Sequence, residues 1–195
     1  MRVLVLYAHP VPESFGAALR DTALEAIAAK GCEARVIDLY AEDFDPVMRC
    51  DERRAYNDRA PQDPALQAHV AHLDWAEALV FVYPTWWYGL PAMLKGWLDR
   101  VWATDVAFEL PKGLAPVKPL MTHISKIAVV TTCGAPRWWS HVVGHPGRKT
   151  ILRGIRALCG WRCRTLFVAH YLMDKSTPQT RAAFLRKVRR KLEAF

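Results

Sequence analysis

The chain has 195 residues, of which 52% are hydrophobic and 24% charged, with a formal net charge of +8. This composition is typical of a globular domain, and the sequence contains no apolar run of the roughly 20 residues that cross a bilayer, so we expect no membrane insertion. We predict a single domain over residues 1–195. The N-terminal residues lack the basic region and cleavage site of a signal peptide, so we expect a cytoplasmic location.

Strand and helix patterns alternate along the chain. Five apolar segments are predicted to be strands, at residues 2–8, 34–39, 78–83, 126–131 and 162–169. Helical periodicity predicts a helix that begins near Phe15 and stops at Gly31, and further helices over 64–75, 91–103, 148–158 and 178–193. Residues 43–63 are polar and are predicted to form a long excursion that carries some helix.

This alternation predicts an α/β fold with right-handed crossovers and a parallel sheet. Five strands in a domain of this size suit the flavodoxin-like strand order 2-1-3-4-5, a three-layer sandwich with helices on both faces. Ligands bind such sheets above the carboxyl ends of the strands, so the loops after strands one, three and four are the candidate binding loops.

The positive charge is concentrated in the C-terminal helix. Its apolar residues recur at helical spacing, so the Lys and Arg residues between them form the outer face of an amphipathic helix. A solvated face is favoured over a nucleic-acid site, because no nucleic-acid-binding motif accompanies the charge.

The cysteines indicate no metal site. Their positions, Cys32, Cys50, Cys133, Cys159 and Cys163, do not give the spacing of a zinc site. We expect buried free thiols in a reducing compartment.

The loop after the first strand is suited to an anion. Ser14 can cap the next helix, whose free N–H groups favour a phosphate, and His9 could hydrogen-bond the same group. The loop has no GxGxxG or Walker sequence, so it is not a standard dinucleotide fingerprint or P-loop. An ordinary helix cap explains the loop equally well.

The loop after the third strand is aromatic. Trp86, Trp87 and Tyr88 follow Pro84 and Thr85 directly, where a flat ligand would stack, although a role in the core or in a dimer interface is the alternative. Trp97 and Trp102, on the next helix, are predicted to be packing residues.

The loop after the fourth strand combines hydroxyl groups with a glycine. Thr131, Thr132 and Gly134 would let a ligand approach the backbone, and Cys133 is interpreted as a packed thiol rather than a nucleophile. His145 could be a surface residue or a proton carrier. With no hydrolytic constellation present, the chemistry is expected to belong to a cofactor, and a flavin fits, with its phosphate at the first loop and its ring between the other two.

Four motifs carry a family resemblance. They are His9-Pro10 with Ser14-Phe15, Asp38-Leu39-Tyr40 with Phe44-Asp45-Pro46, the segment 84–100 with its Trp-Tyr-Gly-x-Pro-Ala and Leu-Lys-Gly-Trp sequences, and Thr131-Thr132 with Gly134. Together they resemble the flavodoxin-like NAD(P)H:quinone oxidoreductases, the group of DT-diaphorase and bacterial modulator-of-drug-activity and general-stress reductases.

The resemblance implies roles for these loops. His9, Ser14 and Phe15 would hold the flavin phosphates. The loop from Pro84 through Thr85, Trp86 and Trp87 to Tyr88 would contact the isoalloxazine, and Thr131, Thr132 and Gly134 would line its pyrimidine edge, with Cys133 replacing a family glycine. The resemblance also implies a homodimer with FAD (FMN as the alternative) as cofactor, NAD(P)H as co-substrate, and a quinone or similar aromatic acceptor reduced in a ping-pong cycle.

One departure concerns the catalytic positions. Close relatives have a Tyr and a His beyond this loop that stabilise the reduced flavin and relay a proton. Trp139 and His145 stand at those positions, and an indole cannot release a proton as a phenol can. We therefore predict a flavin-dependent NAD(P)H oxidoreductase with His145 as proton donor. The alternatives are an ancillary subunit of a potassium-efflux transporter and a basic nucleic-acid-binding module.

Overall fold

The computed structural model describes residues 1–111, 113 and 115–195. Seven strands are described: β1 (Arg2–Tyr7), β2 (Glu33–Asp38), β3 (Ala78–Thr85), β4 (Phe108–Glu109), β5 (Lys118–Pro119), β6 (Lys126–Cys133) and β7 (Arg164–His170). Five of them form one parallel sheet in the order β2-β1-β3-β6-β7, which confirms the predicted order. The remaining two, β4 and β5, form a short antiparallel pair that the sequence did not predict, because two-residue strands show no periodicity.

The helices pack on both faces of this sheet. They are α1 (Phe15–Ala29), α2 (Cys50–Ala55), α3 (Pro64–Trp75), α4 (Ala92–Val101), α5 (Arg137–Val143), α6 (Pro146–Lys149) and α7 (Pro178–Glu193). A π-helical turn (Thr150–Gly154) and a 3-10 turn (Ile155–Leu158) continue α6, so the helical segment predicted over 148–158 is present but irregular. No described helix is long and apolar enough to cross a bilayer.

The two layers of helices enclose separate cores. One core lies under α3 and α4 and contains the fully buried Trp97 together with Trp102, which confirms both as packing residues. The other lies under α1 and α7, where Phe184, Val188 and Leu192 are buried and the charged residues between them are exposed or half-buried. The basic residues of α7 thus form a solvated outer face, as the spacing predicts.

A close approach fixes the 43–63 excursion onto α4. A Cβ on Gly96 would lie 2.2 Å from the carbonyl oxygen of Pro46, so only glycine lets the two backbones meet. One turn later, Arg100 donates to Glu52 at 2.9 and 3.0 Å and to the carbonyl oxygen of Asp45 at 2.6 Å. Two of the motifs that carry the resemblance are therefore partners in a single packing contact.

The cysteine prediction is only partly right. Cys133, Cys159 and Cys163 are buried, but Cys50 is exposed and Cys32 is half-buried. Cys50 opens the short helix α2, in which no residue is buried, and Cys32 lies in the turn that leads into the edge strand β2.

Candidate functional site

The three predicted loops converge at the carboxyl ends of the strands. A cleft of about 620 Å³ is lined by residues from each of them: His9, Pro84, Thr85, Trp86, Trp87, Thr132 and Gly134. Met173 and Asp174, which follow β7, complete the lining and were not predicted. Asp174 closes the wall tightly, because a Cβ on Gly134 would lie 2.9 Å from its Oδ2.

The start of α1 presents backbone N–H groups and no negative charge. Ser14 caps the helix, its Oγ accepting from the backbone N–H of Ala17 at 3.2 Å, and no acidic residue lies in the first turn. The Nδ1 of His9 accepts from the N–H of Val11 at 3.0 Å, so the ring proton sits on Nε2. Burial lowers the pKa of His9 and favours this neutral donor form.

The ring of Phe15 packs into the core and does not line the cleft. The side chain is half-buried and packs against the rings of His170 and Phe184 at centroid distances of 5.8 and 6.3 Å. The ring thereby anchors the first turn of α1 to the core beneath α7, and the backbone N–H stays at the helix N-terminus.

The aromatic loop is a tight turn with strained backbone. Trp87 and Tyr88 both have positive φ, 48° and 62°, and the N–H of Gly89 donates to the carbonyl oxygen of Trp86 at 2.9 Å. Positive φ at two consecutive central residues is the pattern of a type I′ turn, which non-glycine residues rarely adopt. The turn leaves Trp86 43% and Trp87 95% exposed, so these rings are not core residues in the described chain.

Tyr88 is held from two sides. The indole Nε1 of Trp139 donates to its phenol oxygen at 2.8 Å, and the N–H of Gly147 donates to its carbonyl oxygen at 3.3 Å. Tyr88 also lines a smaller cleft, of about 210 Å³, which shares Thr85, Trp87 and Gly134 with the larger one. Trp139 therefore reaches the site through Tyr88.

In the loop after β6, Thr131 and Cys133 are buried and Thr132 lines the cleft. Thr131 is buried beneath the cleft, where its Oγ1 lies 2.8 Å from that of Thr85, whereas Thr132 is half-buried and lines the cleft. Cys133 is buried, and burial raises the pKa of its thiol, which favours the packed thiol over a nucleophile. The loop is short, because α5 begins at Arg137.

The structure places His145 behind the cleft rather than in its wall. His145 caps α6, is 9% exposed, and lies 5.7 Å from the ring of Phe167 and 6.1 Å from that of Tyr171. The phenol of Tyr171 in turn has its pKa raised by burial and by the Cys133 thiol, which lines the smaller cleft. Tyr171 is thus a neighbour of both His145 and Cys133.

Comparison with known proteins finds a matching family and several similar proteins. The profile of a family described as having the flavodoxin-like fold matches residues 1–192. A mouse (Mus musculus) protein named ribosyldihydronicotinamide dehydrogenase [quinone] is 33% identical in an alignment 132 residues long that covers 56% of this chain and 54% of the mouse protein. The chain spans about half the length of that relative. A rat (Rattus norvegicus) NAD(P)H dehydrogenase [quinone] 1 is 28% identical over 98% of this chain and 76% of its own length.

Solved structures agree with the fold. The crystal structure of Smu.1420 from Streptococcus mutans superposes with a TM-score of 0.85 over 100% of both chains at 27% identity.

Proposed function

The chain belongs to the family with the flavodoxin-like fold, and we propose that it is a flavin-dependent NAD(P)H oxidoreductase that reduces quinones or similar aromatic acceptors by two electrons in a ping-pong cycle. The observation that carries the proposal is the cleft that joins an exposed aromatic turn and Gly134 to His9, whose ring adjoins the first turn of α1 at Gly16. The names of the mouse and rat relatives support the choice of acceptor.

The residues of the cleft fit a flavin. Ser14, the first N–H groups of α1 and the Nε2–H of His9 would hold the phosphates, since all are donors and the helix dipole favours negative charge. Trp86 and Trp87 offer exposed ring faces for a planar ligand, and Gly134 leaves its backbone open. When bound, the flavin would accept a hydride from NAD(P)H and deliver two electrons to the acceptor. We propose FAD, with FMN as the alternative.

We propose that the protein supplies the proton from His145. Burial and the neighbouring His141, Arg148 and Lys149 lower the pKa of His145, so its imidazole is neutral near pH 7 and would pass on the proton of one ring nitrogen while the other nitrogen takes up a proton from solvent. Tyr171 would carry that proton toward the cleft, because its ring lies 6.1 Å from that of His145 and its phenol is close enough to the Cys133 thiol to be affected by its charge. Trp139 would act as a positioning residue for Tyr88.

We also propose a homodimer that covers the rim of the cleft. Trp87 is 95%, Trp138 65% and Val142 67% exposed, and large apolar groups clustered in this way are typical of an interface. Size-exclusion chromatography with light scattering tests this proposal, and a monomer at micromolar concentration would contradict it.

Purified protein tests the main proposal directly. We expect a yellow protein with a flavin spectrum, whose bound flavin is released by acid and identified by chromatography, and NAD(P)H oxidation that depends on menadione. Ser14→Ala should weaken flavin binding, and Ser125→Ala, at an exposed serine away from the cleft, is the control. A colourless protein that binds no added flavin and oxidises no NAD(P)H would overturn the proposal.

A further inference from the structure

A second polar cleft lies outside the proposed flavin site. It measures about 270 Å³ and opens between α5, α6 and the edge strand β7. Its lining side chains are rich in basic groups: His141, His145, Arg148, Lys149, Arg153 and Thr165, with Gly144 and Leu152. No carboxylate is among these lining residues.

The cations of this cleft have no anionic partner. Arg148, Lys149 and Arg153 form no ion pair with any residue that the structure describes, whereas Arg20 and Arg100 each pair with a carboxylate. Arg148 is held in place by its guanidinium, which lies 5.0 Å from the centroid of the Phe167 ring. Unpaired like charges around one cavity repel each other, and a bound anion would relieve that repulsion.

The ammonium group of Lys149 lies close to Gly144, and both residues line this cleft. Lys149 folds back over Gly144, because a Cβ on that glycine would lie 2.9 Å from the Lys149 Nζ. Gly144 ends α5 with φ of 88°, a conformation that favours glycine, so the backbone there leaves space for the ammonium group.

One residue of the cleft is a buried histidine. His145 is more than nine-tenths buried and lines the cleft, yet its Nε2 has no hydrogen-bond partner among the described residues. That nitrogen is closed off from solvent, so the His145 ring serves as a fixed part of the cleft wall, packed against the rings of His141 and Phe167, and does not donate to a ligand in the cleft.

We propose that this cleft binds a phosphate monoester or inorganic phosphate. Such a group carries about −1.5 to −2 charges at pH 7 and three acceptor oxygens, which match the three permanent cations Arg148, Lys149 and Arg153. The source is either free phosphate or the 2′-phosphate of NADPH, and the second source rests on the proposed function. The cleft is linked to the flavin site through the contact of Gly147, in α6, with Tyr88.

Calorimetry at constant ionic strength tests the site on the purified protein as isolated. We expect saturable binding of inorganic phosphate that Lys149→Gln/Arg153→Gln weakens at least about tenfold. The matched control Arg190→Gln/Lys191→Gln removes the same charge from exposed positions on α7 and should leave binding unchanged. Absence of saturable binding, or equal weakening in both double variants, would overturn the site.

Adenosine 2′-monophosphate identifies the source. If it binds more tightly than inorganic phosphate, and the Lys149→Gln/Arg153→Gln variant raises KM for NADPH but not for NADH, the site holds the co-substrate. If it binds no more tightly and both KM values are unchanged, the site takes free phosphate. Because calorimetry needs no turnover, a protein without oxidoreductase activity would still give a result for this cleft.

Discussion

The indole nitrogen of Trp139 donates a 2.8 Å hydrogen bond to the phenol oxygen of Tyr88. Because the phenol accepts this bond through a lone pair, its own O–H remains available to a ligand in the cleft that Tyr88 lines. A tyrosine hydroxyl is therefore retained beside the site, although tryptophan stands where close relatives are expected to have tyrosine.

Removing the indole N–H of Trp139 should lower kcat more than it lowers the affinity for flavin. Trp139→Phe leaves the Tyr88 phenol unpositioned, so we expect kcat for menadione to fall about tenfold, the cost of one hydrogen bond, with little change in flavin affinity. Trp161→Phe is the control, because Trp161 is 81% exposed and lines neither cleft of the site. Steady-state kinetics decide the question, and a Trp139→Phe enzyme within twofold of wild-type kcat would contradict the assigned role.

Gly96→Ala should destabilise the fold. The added Cβ would sit 2.2 Å from the Pro46 oxygen, so the 43–63 excursion must move, at a cost of about 1–3 kcal/mol in the free energy of unfolding. Gly154→Ala is a matched control. No atom lies within 4 Å of a Cβ added at Gly154, and replacing a helical glycine by alanine raises the free energy of unfolding by about 0.5–1 kcal/mol. Urea denaturation measures the free energy of unfolding of both variants. Equal values would show that the contact between Gly96 and Pro46 does not require glycine.

Arg100→Met should also loosen the excursion. The Arg100 side chain is only 9% exposed, and its loss leaves Glu52 partly buried without its partner, so we expect a loss of about 3–5 kcal/mol. The exposed pair Arg54–Asp51 provides the comparison, since Arg54→Met should cost less than about 1 kcal/mol. Adding Glu52→Gln to Arg100→Met should restore part of the stability, and a double variant no better than the single one would argue against a charge effect.

Stability should fall as the solution is acidified from pH 7.5 to 5.5. Burial lowers the pKa of His170 below its ordinary 6.5, and Arg181 and Lys187 act in the same direction. The unfolded chain therefore takes up a proton near pH 6.5 while the folded protein resists it, so the free energy of unfolding drops as pH falls through that value. His170→Gln should make the drop shallower in urea titrations, and an unchanged pH slope would show that His170 is not responsible.

The sheet was predictable because its central strands, β1, β3 and β6, are apolar on both faces. Runs such as residues 78–83 admit few alternatives, and their alternation with helices fixes the strand order. The helix α5 and the pair β4–β5 were missed. Seven residues with two adjacent tryptophans show no clear period, and two-residue strands are held by their surroundings rather than by their own pattern.

The site was predictable as loops but not as side-chain directions. His9, Ser14 and Trp86 were identified because they follow strand ends. The same rule applied to the fifth strand would have found Met173 and Asp174. No local pattern could show that the Phe15 ring turns into the core or that His145 faces a separate cleft, because both outcomes depend on packing against β7 and α7.

The positive φ angles of Trp87 and Tyr88 have a thermodynamic consequence. Each costs about 1–2 kcal/mol, and both persist because Gly89, Trp139 and Gly147 tether the turn. A wall already fixed before a ligand arrives loses little conformational entropy when an aromatic ring stacks on it. The backbone strain of this turn therefore preorganises the cleft for binding. Aromatic ligands of different shape can stack on the same fixed turn.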